Sequence, residues 1–283
     1  MKAFQYFEPS TLTEALEILR HYQDRAKVLA GGTDLVVQMK QGRTNPEAVI
    51  SLRRLQELNF IEVNSGIRIG PLTTMRQIAS HREFCGRFSI LQEAALAVAD
   101  VQIRNLATVG GNIANASPSA DVPPALVALG AQLRLRSKSG ERVVGLEDFC
   151  TGPFCTHIEM DELIVEILIS PIPQGSGAYA WMPKRTTIDE TLVGVGAWVI
   201  RDAAQNTCAG VRLALSSVAP VPLRAYKAES FLKGKALNPE NFHLAGKIAA
   251  EESSPRSRAD YRRALVSILT ETALERAVRR AQE

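Results

Sequence analysis

Leu106-Ala107-Thr108-Val109-Gly110-Gly111-Asn112-Ile113-Ala114-Asn115-Ala116-Ser117-Pro118-Ser119-Ala120-Asp121 is the stretch from which the rest of the chain can be read. It follows a helix-like segment and carries no charge before Asp121, yet it is dense in short polar side chains. Paired glycines let a backbone pass close to another group without a Cβ in the way. Thr108, Asn112, Asn115, Ser117 and Ser119 add short donors and acceptors suited to a polar ligand. The same residue types also build plain turns for purely local reasons, so one Gly-Gly pair leaves both readings open.

A second stretch of the same kind tips the balance. Lys27-Val28-Leu29-Ala30 reads as a short strand, Gly31-Gly32-Thr33-Asp34 as a glycine turn, and Leu35 to Lys40 as a helix ending at Gly42. A strand, a glycine turn and a helix N-terminus offer several unpaired backbone N–H groups to an anion, aided by the helix dipole. Neither G-x-G-x-x-G nor G-x-x-x-x-G-K-[ST] is present.

Ala30-Gly31-Gly32-Thr33-Asp34-Leu35, Gln102-Ile103-Arg104-Asn105, Thr108-Val109-Gly110-Gly111-Asn112 and Ala116-Ser117-Pro118-Ser119-Ala120-Asp121 together resemble the FAD-binding subunit of the molybdenum hydroxylases. That family includes the medium subunits of carbon monoxide dehydrogenase and bacterial xanthine dehydrogenases. The resemblance runs over essentially the whole chain, including Val211 to Glu229. It implies an α+β fold: a two-lobed PCMH-type FAD-binding domain, then a small C-terminal domain of antiparallel sheet plus helices. On that pattern residues 1–175 form the FAD-binding domain, with lobes of about 1–59 and 60–175, and residues 176–283 the C-terminal domain.

Composition narrows the field independently. The chain has 283 residues, 46% hydrophobic and 22% charged, which is ordinary for a globular protein and long enough for more than one core. Net charge is +3, and the pairs Arg53-Arg54, Arg262-Arg263 and Arg279-Arg280 read as solvated faces, so no nucleic-acid partner is expected. No apolar run reaches membrane-spanning length and Met1 to Phe4 does not look like a signal peptide, which points to the cytoplasm. Cys85, Cys150, Cys155 and Cys208 lack C-x-x-C spacing and read as buried free thiols rather than a metal or iron–sulfur site. His21, His81, His157 and His243 are scattered, and no nucleophile–base set stands out, so no catalytic residue is assigned.

Periodicity supplies the elements. Phe4 to Phe7 reads as a strand, and Thr11 with Glu14 as a capping box opening a helix with Leu12, Ala15, Leu16 and Leu19 on one face. With Ala48 to Leu52 this gives strand, helix, strand, helix, strand: a compact α/β lobe. Ile61 to Ile69 alternates around Asn64-Ser65-Gly66 as a hairpin, and Gln132 to Arg136 does so before Ser137 to Gly140. Ser89 and Gln92 read as the cap of a helix through Ala99, and Gln102 to Asn105 as a turn. Pro123-Pro124 opens a helix, Leu163 to Ile169 is a strong strand, and Pro171 to Gly177 is the best linker. Beyond it lie strands at Val193 to Ile200 and Val211 to Leu215, and a helix opened by Asn238-Pro239-Glu240. Ser257 and Asp260 read as caps of a final helix with Tyr261, Leu265, Ile268 and Leu269 on one face.

The resemblance also assigns the cofactor contacts. Leu29, Ala30, Gly31, Gly32, Thr33, Asp34 and Leu35 form the first, with the turn amides on pyrophosphate and Asp34 capping the following helix. Thr73 belongs to a segment near the flavin, while Thr108, Gly110, Gly111, Asn112 and Ser117 form the second loop, and Asp121 accepts from ribityl hydroxyls. Lys184 and Asp189 match a basic cluster followed by aspartate that approaches the flavin. Two departures stand beside them: Met182 where the family often has lysine, and Glu190 where it has an aromatic or apolar residue. Glu190 with Asp189 is the expected cover of the flavin ring, smaller and more mobile than an aromatic lid.

The function implied is an electron-transfer flavoprotein subunit with non-covalent FAD. Molybdopterin would sit on a large partner subunit and [2Fe-2S] clusters on a small one, with NAD or another acceptor taking the electrons. A free-standing FAD-dependent dehydrogenase and a non-catalytic nucleotide-binding scaffold are the alternatives.

Overall fold

The computed structural model describes residues 1–171, 174–186 and 188–282. Ile172 and Pro173 of the expected linker, and Thr187 of the basic segment, lie outside the described residues.

The first lobe is β1 (Gln5–Phe7), α1 (Leu12–Tyr22), β2 (Ala26–Leu29), α2 (Leu35–Lys40) and β3 (Ala48–Ser51). Its three strands are parallel, with β3 between the other two. Thr11 caps α1 by accepting from the Glu14 amide at 3.2 Å, but the Glu14 carboxylate turns to the Ser10 amide at 2.8 Å, so only half of the expected capping box forms. Ala15, Leu16 and Leu19 seal the helix onto Ile50 and Leu52.

The second lobe holds β4 (Ile61–Val63), β5 (Ile67–Ile69), α3 (Met75–Ser80), α4 (Ser89–Ala97), α5 (Val101–Leu106), α6 (Val109–Asn115), α7 (Val122–Ala128), β6 (Gln132–Arg136), β7 (Glu141–Gly145), α8 (Leu146–Phe149), β8 (Cys150–Gly152), β9 (Cys155–Thr156) and β10 (Leu163–Ile169). Its main sheet is antiparallel in the order β4-β5-β10-β6-β7. The mostly apolar β10 is central because both its faces are covered: Leu163 and Val165 pack on the first lobe, Ile167 and Ile169 on the second, and its one charged residue, Glu166, accepts from Arg68 and Arg134.

Three local readings give way here. Gln102 to Asn105 is helical, capped by Asp100, whose carboxylate accepts from the Ile103 amide at 2.8 Å. Ser89 does not cap α4; its hydroxyl donates to Gly86 O, and the Gln92 amide donates to the carbonyls of Ala79 and His81. The glycine stretch itself is the short helix α6, because Thr108 caps it and Val109 and Ile113 bury one face.

The C-terminal unit is a four-stranded antiparallel sheet of β11 (Ser176–Pro183), β12 (Thr191–Asp202), β13 (Thr207–Ser216) and β14 (Leu223–Arg224), with α9 (Tyr226–Leu232), α10 (Pro239–Glu252) and α11 (Ala259–Arg280). Asn238 caps α10 as its sequence implies, accepting from the Asn241 amide at 2.9 Å. Ser257 and Asp260 do not cap α11: Arg258 occupies the cap position with φ 50° and makes no side-chain cap bond. Leu265 and Leu269 are buried as expected, but Tyr261 and Ile268 are more than half exposed, and Val266, Ala273 and Ala277 complete the inner stripe.

This sheet is covered on both faces. Val193, Val195 and Leu213 pack against the C-terminal helices, while Tyr179, Trp198 and Ala214 belong to the second lobe's core. Arg280, from a pair expected to be solvated, turns inward to Glu93 of α4 at 2.5 Å and to Gly177 O at 2.7 Å. The Tyr179 amide donates to the same Glu93 carboxylate at 2.8 Å. Among the described residues no helix is long and apolar enough to cross a membrane.

Candidate functional site

The two glycine stretches meet. A Cβ at Gly31 would fall inside the backbone of Leu106, with the carbonyl carbon at 2.7 Å. Only glycine therefore lets the turn after β2 seat against the α5–α6 junction. Gly32 follows with φ +74°, and its carbonyl accepts from the Val36 amide to begin α2. Further along, Gln38 Nε2 donates to Asn115 Oδ1 at 3.2 Å and ties α2 to α6. Met75 N bonds Ala107 O, and Val109 N bonds Thr73 O, both at 2.9 Å, so the 73–75 segment braces the platform from below.

At this platform several polar groups are left over. Among the described residues the backbone N–H groups of Gly31, Gly32 and Thr33 have no hydrogen-bond acceptor. Asn112 Oδ1 is buried and has no partner among the described residues. A Cβ at Gly111 would meet only Thr108 Oγ1 at 3.0 Å and Ala30 Cβ at 4.0 Å, so the space between the two loops is open on that side. Leu29, Ala30 and Leu35 border the turn and are half-buried. An unpaired buried amide oxygen costs about 1–3 kcal/mol, and a run of free amides favours an anion, so the donor and acceptor set fits a dinucleotide bearing pyrophosphate and hydroxyl groups.

Other expected contacts have different duties. Asp34 does not cap α2: its own backbone is helical and its carboxylate makes no cap bond. Although exposed as a residue, its carboxyl is crowded enough by protein atoms that desolvation raises its pKa. Thr73 is fully enclosed and its hydroxyl donates to Phe60 O at 2.9 Å, so it braces this segment. Gly110 packs on Pro71, where a Cβ would lie 2.8 Å from the carbonyl oxygen. Thr108 spends its hydroxyl on the Gly111 amide at 3.2 Å.

Helix α6, about 10 Å long at 1.5 Å per residue, carries the chain from this platform into a cleft. Ala116 ends it in the left-handed conformation, and Ser117 and Ser119 follow with hydroxyls 3.2 Å apart. Asp121 is buried, and its Oδ1 accepts from Thr191 Oγ1 at 2.6 Å and from the Tyr179 hydroxyl at 2.8 Å. Burial raises its pKa to about 6 against the opposing effect of those two bonds. One oxygen thus fastens the C-terminal sheet, and Oδ2 has no protein partner among the described residues.

The cleft, of about 220 Å³, is lined by Ser117, Ser119, Phe154, Lys184, Glu190 and Arg262, among others. Glu190 is hydrogen-bonded within this cleft. Ser119 and Lys184 each donate to its carboxylate, and Lys184 N also bonds its carbonyl at 3.3 Å. Burial pushes the Glu190 carboxyl upward, but the bonds from Lys184 and Ser119, with the charge of Arg262, outweigh it and leave the pKa low. Asp189 closes the adjoining turn, accepting from Arg185 Nε at 3.1 Å and from the Thr186 amide at 3.3 Å. The Arg185 bond holds its pKa down.

Sequence reasoning pointed to Ser119 as a polar group of the second stretch but missed Phe154 and Arg262 as lining residues of this cleft. Arg262 was expected on a solvated face; it instead donates to Leu192 O at 3.0 Å and to Ser217 O, and its Nε is buried without a partner among the described residues. The alternation of α11 places it one turn before buried Leu265 and Val266, which was the available signal. Cys85 and Cys155 are exposed, contrary to expectation, while burial pushes the thiols of Cys150 and Cys208 up to about 11. No group of ligating side chains suited to a metal occurs among the described residues.

Comparison with known proteins agrees with this geometry. Residues 2–172 match the family described as the FAD binding domain in molybdopterin dehydrogenase, and residues 177–277 match the CO dehydrogenase flavoprotein C-terminal domain. The carbon monoxide dehydrogenase medium chain of Hydrogenophaga pseudoflava is 34% identical over 279 residues, covering 97% of this chain and 96% of that one. A putative xanthine dehydrogenase FAD-binding subunit of Escherichia coli is 30% identical over 281 residues, covering 96% and 95%. A crystal structure of the Hydrogenophaga pseudoflava carbon monoxide dehydrogenase superposes with a TM-score of 0.92 at 34% identity, covering 99% of this chain and 98% of that one. Quinoline 2-oxidoreductase from Pseudomonas putida 86 gives 0.92 at 28% identity over the full length of both chains. With its two-lobed N-terminal part and its C-terminal sheet and helices, the chain belongs to the family of FAD-binding medium subunits of the molybdenum hydroxylases.

Proposed function

We propose that this chain is the electron-transfer subunit of a cytoplasmic, heteromeric molybdenum hydroxylase complex. In that reading residues 1–175 bind FAD non-covalently and residues 176–283 close over it. A large partner subunit holds molybdopterin, a small one holds [2Fe-2S] clusters, and NAD or another acceptor takes the electrons. When bound, FAD supplies the exchange between one-electron and two-electron carriers.

The chain's own task is to bind and orient. The free amides of Gly31, Gly32 and Thr33 hold the pyrophosphate, with Leu29, Ala30 and Leu35 bordering it. Asn112 and the free oxygen of Asp121 take hydroxyl donors, and Ser117 lies between them and the cleft. Lys184 and Asp189 act from the C-terminal unit by fixing the 184–190 turn beside the ring position. The single observation that carries this reading is the unpartnered, buried Asn112 Oδ1 at the junction of two glycine stretches.

The test is the spectrum of the purified chain. Oxidised-flavin absorbance, with FAD released into the supernatant on denaturation, is the expected result. A colourless chain would favour the scaffold reading, and flavin retained on the precipitated polypeptide would overturn non-covalent binding.

A further inference from the structure

Helix α5 carries the surface on which the first glycine turn seats, yet apolar packing does not fix the helix. None of its six residues is fully buried, and Ile103 alone packs partly against the second lobe's core. Val101 and Leu106 are more than half exposed. Even so, the Leu106 backbone lies directly against Gly31, and Ala107 O accepts from Met75 N at 2.9 Å. A helix this short contributes little stability of its own, so polar bonds must set its place.

Arg104 makes three of them from a single nitrogen. Its Nη1 donates to Val98 O at 2.9 Å, to Ala99 O at 2.5 Å and to Leu96 O at 3.3 Å. These carbonyls belong to the last turn of α4 and the tight turn after it, and among the described residues no backbone amide donates to any of them. A helix end leaves its final carbonyls without intrahelical partners and carries partial negative charge, and a guanidinium answers both. Within the turn Ala99 is left-handed, with φ 42°. For a residue with a Cβ that conformation is unfavourable and persists only where the surroundings hold it. Arg104 reaches back from α5 and holds it. Asp100 caps α5 through the Ile103 amide at 2.8 Å, and Asn105 Oδ1 accepts from Arg76 Nη1 of α3 at 3.1 Å.

One cation thus governs a spacing. If α5 tilts, the Leu106 carbonyl moves with it and the Gly31 turn loses its seat. The distance from the free amides of Gly31, Gly32 and Thr33 to Asn112 Oδ1 then changes as well. A ligand with its phosphates and hydroxyls at fixed separations tolerates little of that.

We propose that Arg104 is a positioning residue for the FAD site: acting through the Ala99 turn and Leu106, it sets the separation of the two glycine stretches. The assignment rests on the FAD reading above, which it deepens by naming the group that fixes the width of the site. Because one nitrogen makes all three bonds, a lysine ammonium, with three donors on one nitrogen, can stand in for the guanidinium.

The experiment compares full-length wild type, R104M, R104K and A99G/R104M by two readouts. FAD affinity of the flavin-free chain is read from quenching of flavin fluorescence, and amide hydrogen exchange is followed at Met75 and Val36, whose bonds to Ala107 O and Gly32 O flank the junction. R104M should weaken FAD binding by about tenfold or more and speed exchange at both amides. R104K should stay within roughly threefold of wild type. A99G/R104M should recover most of the lost affinity, since glycine takes positive φ unaided. A merely structural arginine would lower the flavin-free Tm in R104M and leave FAD affinity, measured below that Tm, unchanged; that result would overturn the proposal. So would unaltered exchange at Met75 and Val36, R104K no better than R104M, or no recovery on adding A99G. If R104M does not fold, R104Q takes its place, keeping two donors on one nitrogen without the charge, and should lose several-fold in affinity. Wild-type affinity in R104Q would overturn the proposal. A wild-type chain that takes up no FAD refutes the FAD reading itself, and the exchange readout then decides whether Arg104 holds the junction.

Discussion

The Tyr179 hydroxyl donates to Asp121 Oδ1 at 2.8 Å, joining β11 of the C-terminal sheet to the first residue before α7. This bond and that of Thr191 are buried, so Asp121 is an ionisable group inside the joint between the FAD-binding part and the C-terminal unit. Burial holds its folded pKa at about 6, above the ordinary aspartate value of 3.8. The native state therefore holds the proton more tightly, and this contribution to stability is present at low pH and lost as pH rises through about 6. A shift of this size corresponds to about 3 kcal/mol. Urea unfolding of the flavin-free chain and of D121N, from pH 4 to 7, should show the difference moving by that order in favour of the variant at neutral pH. Parallel pH profiles would show that Asp121 does not titrate in this range.

Gly31 and Gly111 separate architecture from ligand space. Gly31→Ala places a methyl inside the Leu106 backbone and should lower stability by about 2–3 kcal/mol along with flavin content. Gly111→Val projects into the open side between the loops, where only Thr108 Oγ1 is near. It should abolish flavin retention with little change in the flavin-free Tm. If G111V binds FAD normally, the second glycine stretch is a structural turn and nothing more.

Asn112 makes a sharper case, because its two effects have opposite signs. Asn112→Leu removes a buried acceptor that lacks a partner, so the flavin-free chain should gain roughly 1 kcal/mol. FAD affinity should fall about tenfold, the equivalent of one lost hydrogen bond of about 1.4 kcal/mol. Thermal melts with and without FAD measure both. A variant that is destabilised when flavin-free and binds FAD normally would make Asn112 a packing residue.

Arg280 links α11 to Glu93 and Gly177 O, with both ends of the ion pair about one-fifth exposed. Arg280→Ala should cost roughly 2–3 kcal/mol, less than a fully buried pair because solvent still screens it. A Tm unchanged within a degree would show that the apolar contacts of Tyr179 and Trp198 alone hold this joint.

Much of the fold was legible because its elements carry their own signals. The Asn238-Pro239-Glu240 helix start, the Ile61 to Ile69 hairpin and the β-branched, largely apolar β10 need no tertiary context. The glycine stretches were legible as close approaches, although Gly31 turns out to serve Leu106, and Gly110 to serve Pro71. What stayed hidden depended on distant partners. Asp34 and Ser257 have cap-like side chains, but whether they cap depends on where the backbone enters the helix. Arg262 and Arg280 look like surface cations until the sheet carbonyls and Glu93 are placed beside them. Glu190 reads as an unpartnered side chain in one dimension, whereas Lys184 and Ser119, the latter 71 residues away, both donate to its carboxylate.

The central claim is that this chain bears the FAD of a molybdenum hydroxylase complex. Its most direct test is affinity purification of the tagged chain from its native host, with flavin, molybdenum and iron measured against protein. The account predicts FAD together with molybdenum and iron, carried by a large and a small partner chain at constant ratio through gel filtration. A chain that elutes alone with its flavin, and whose flavin is reduced directly by an organic substrate, would contradict it.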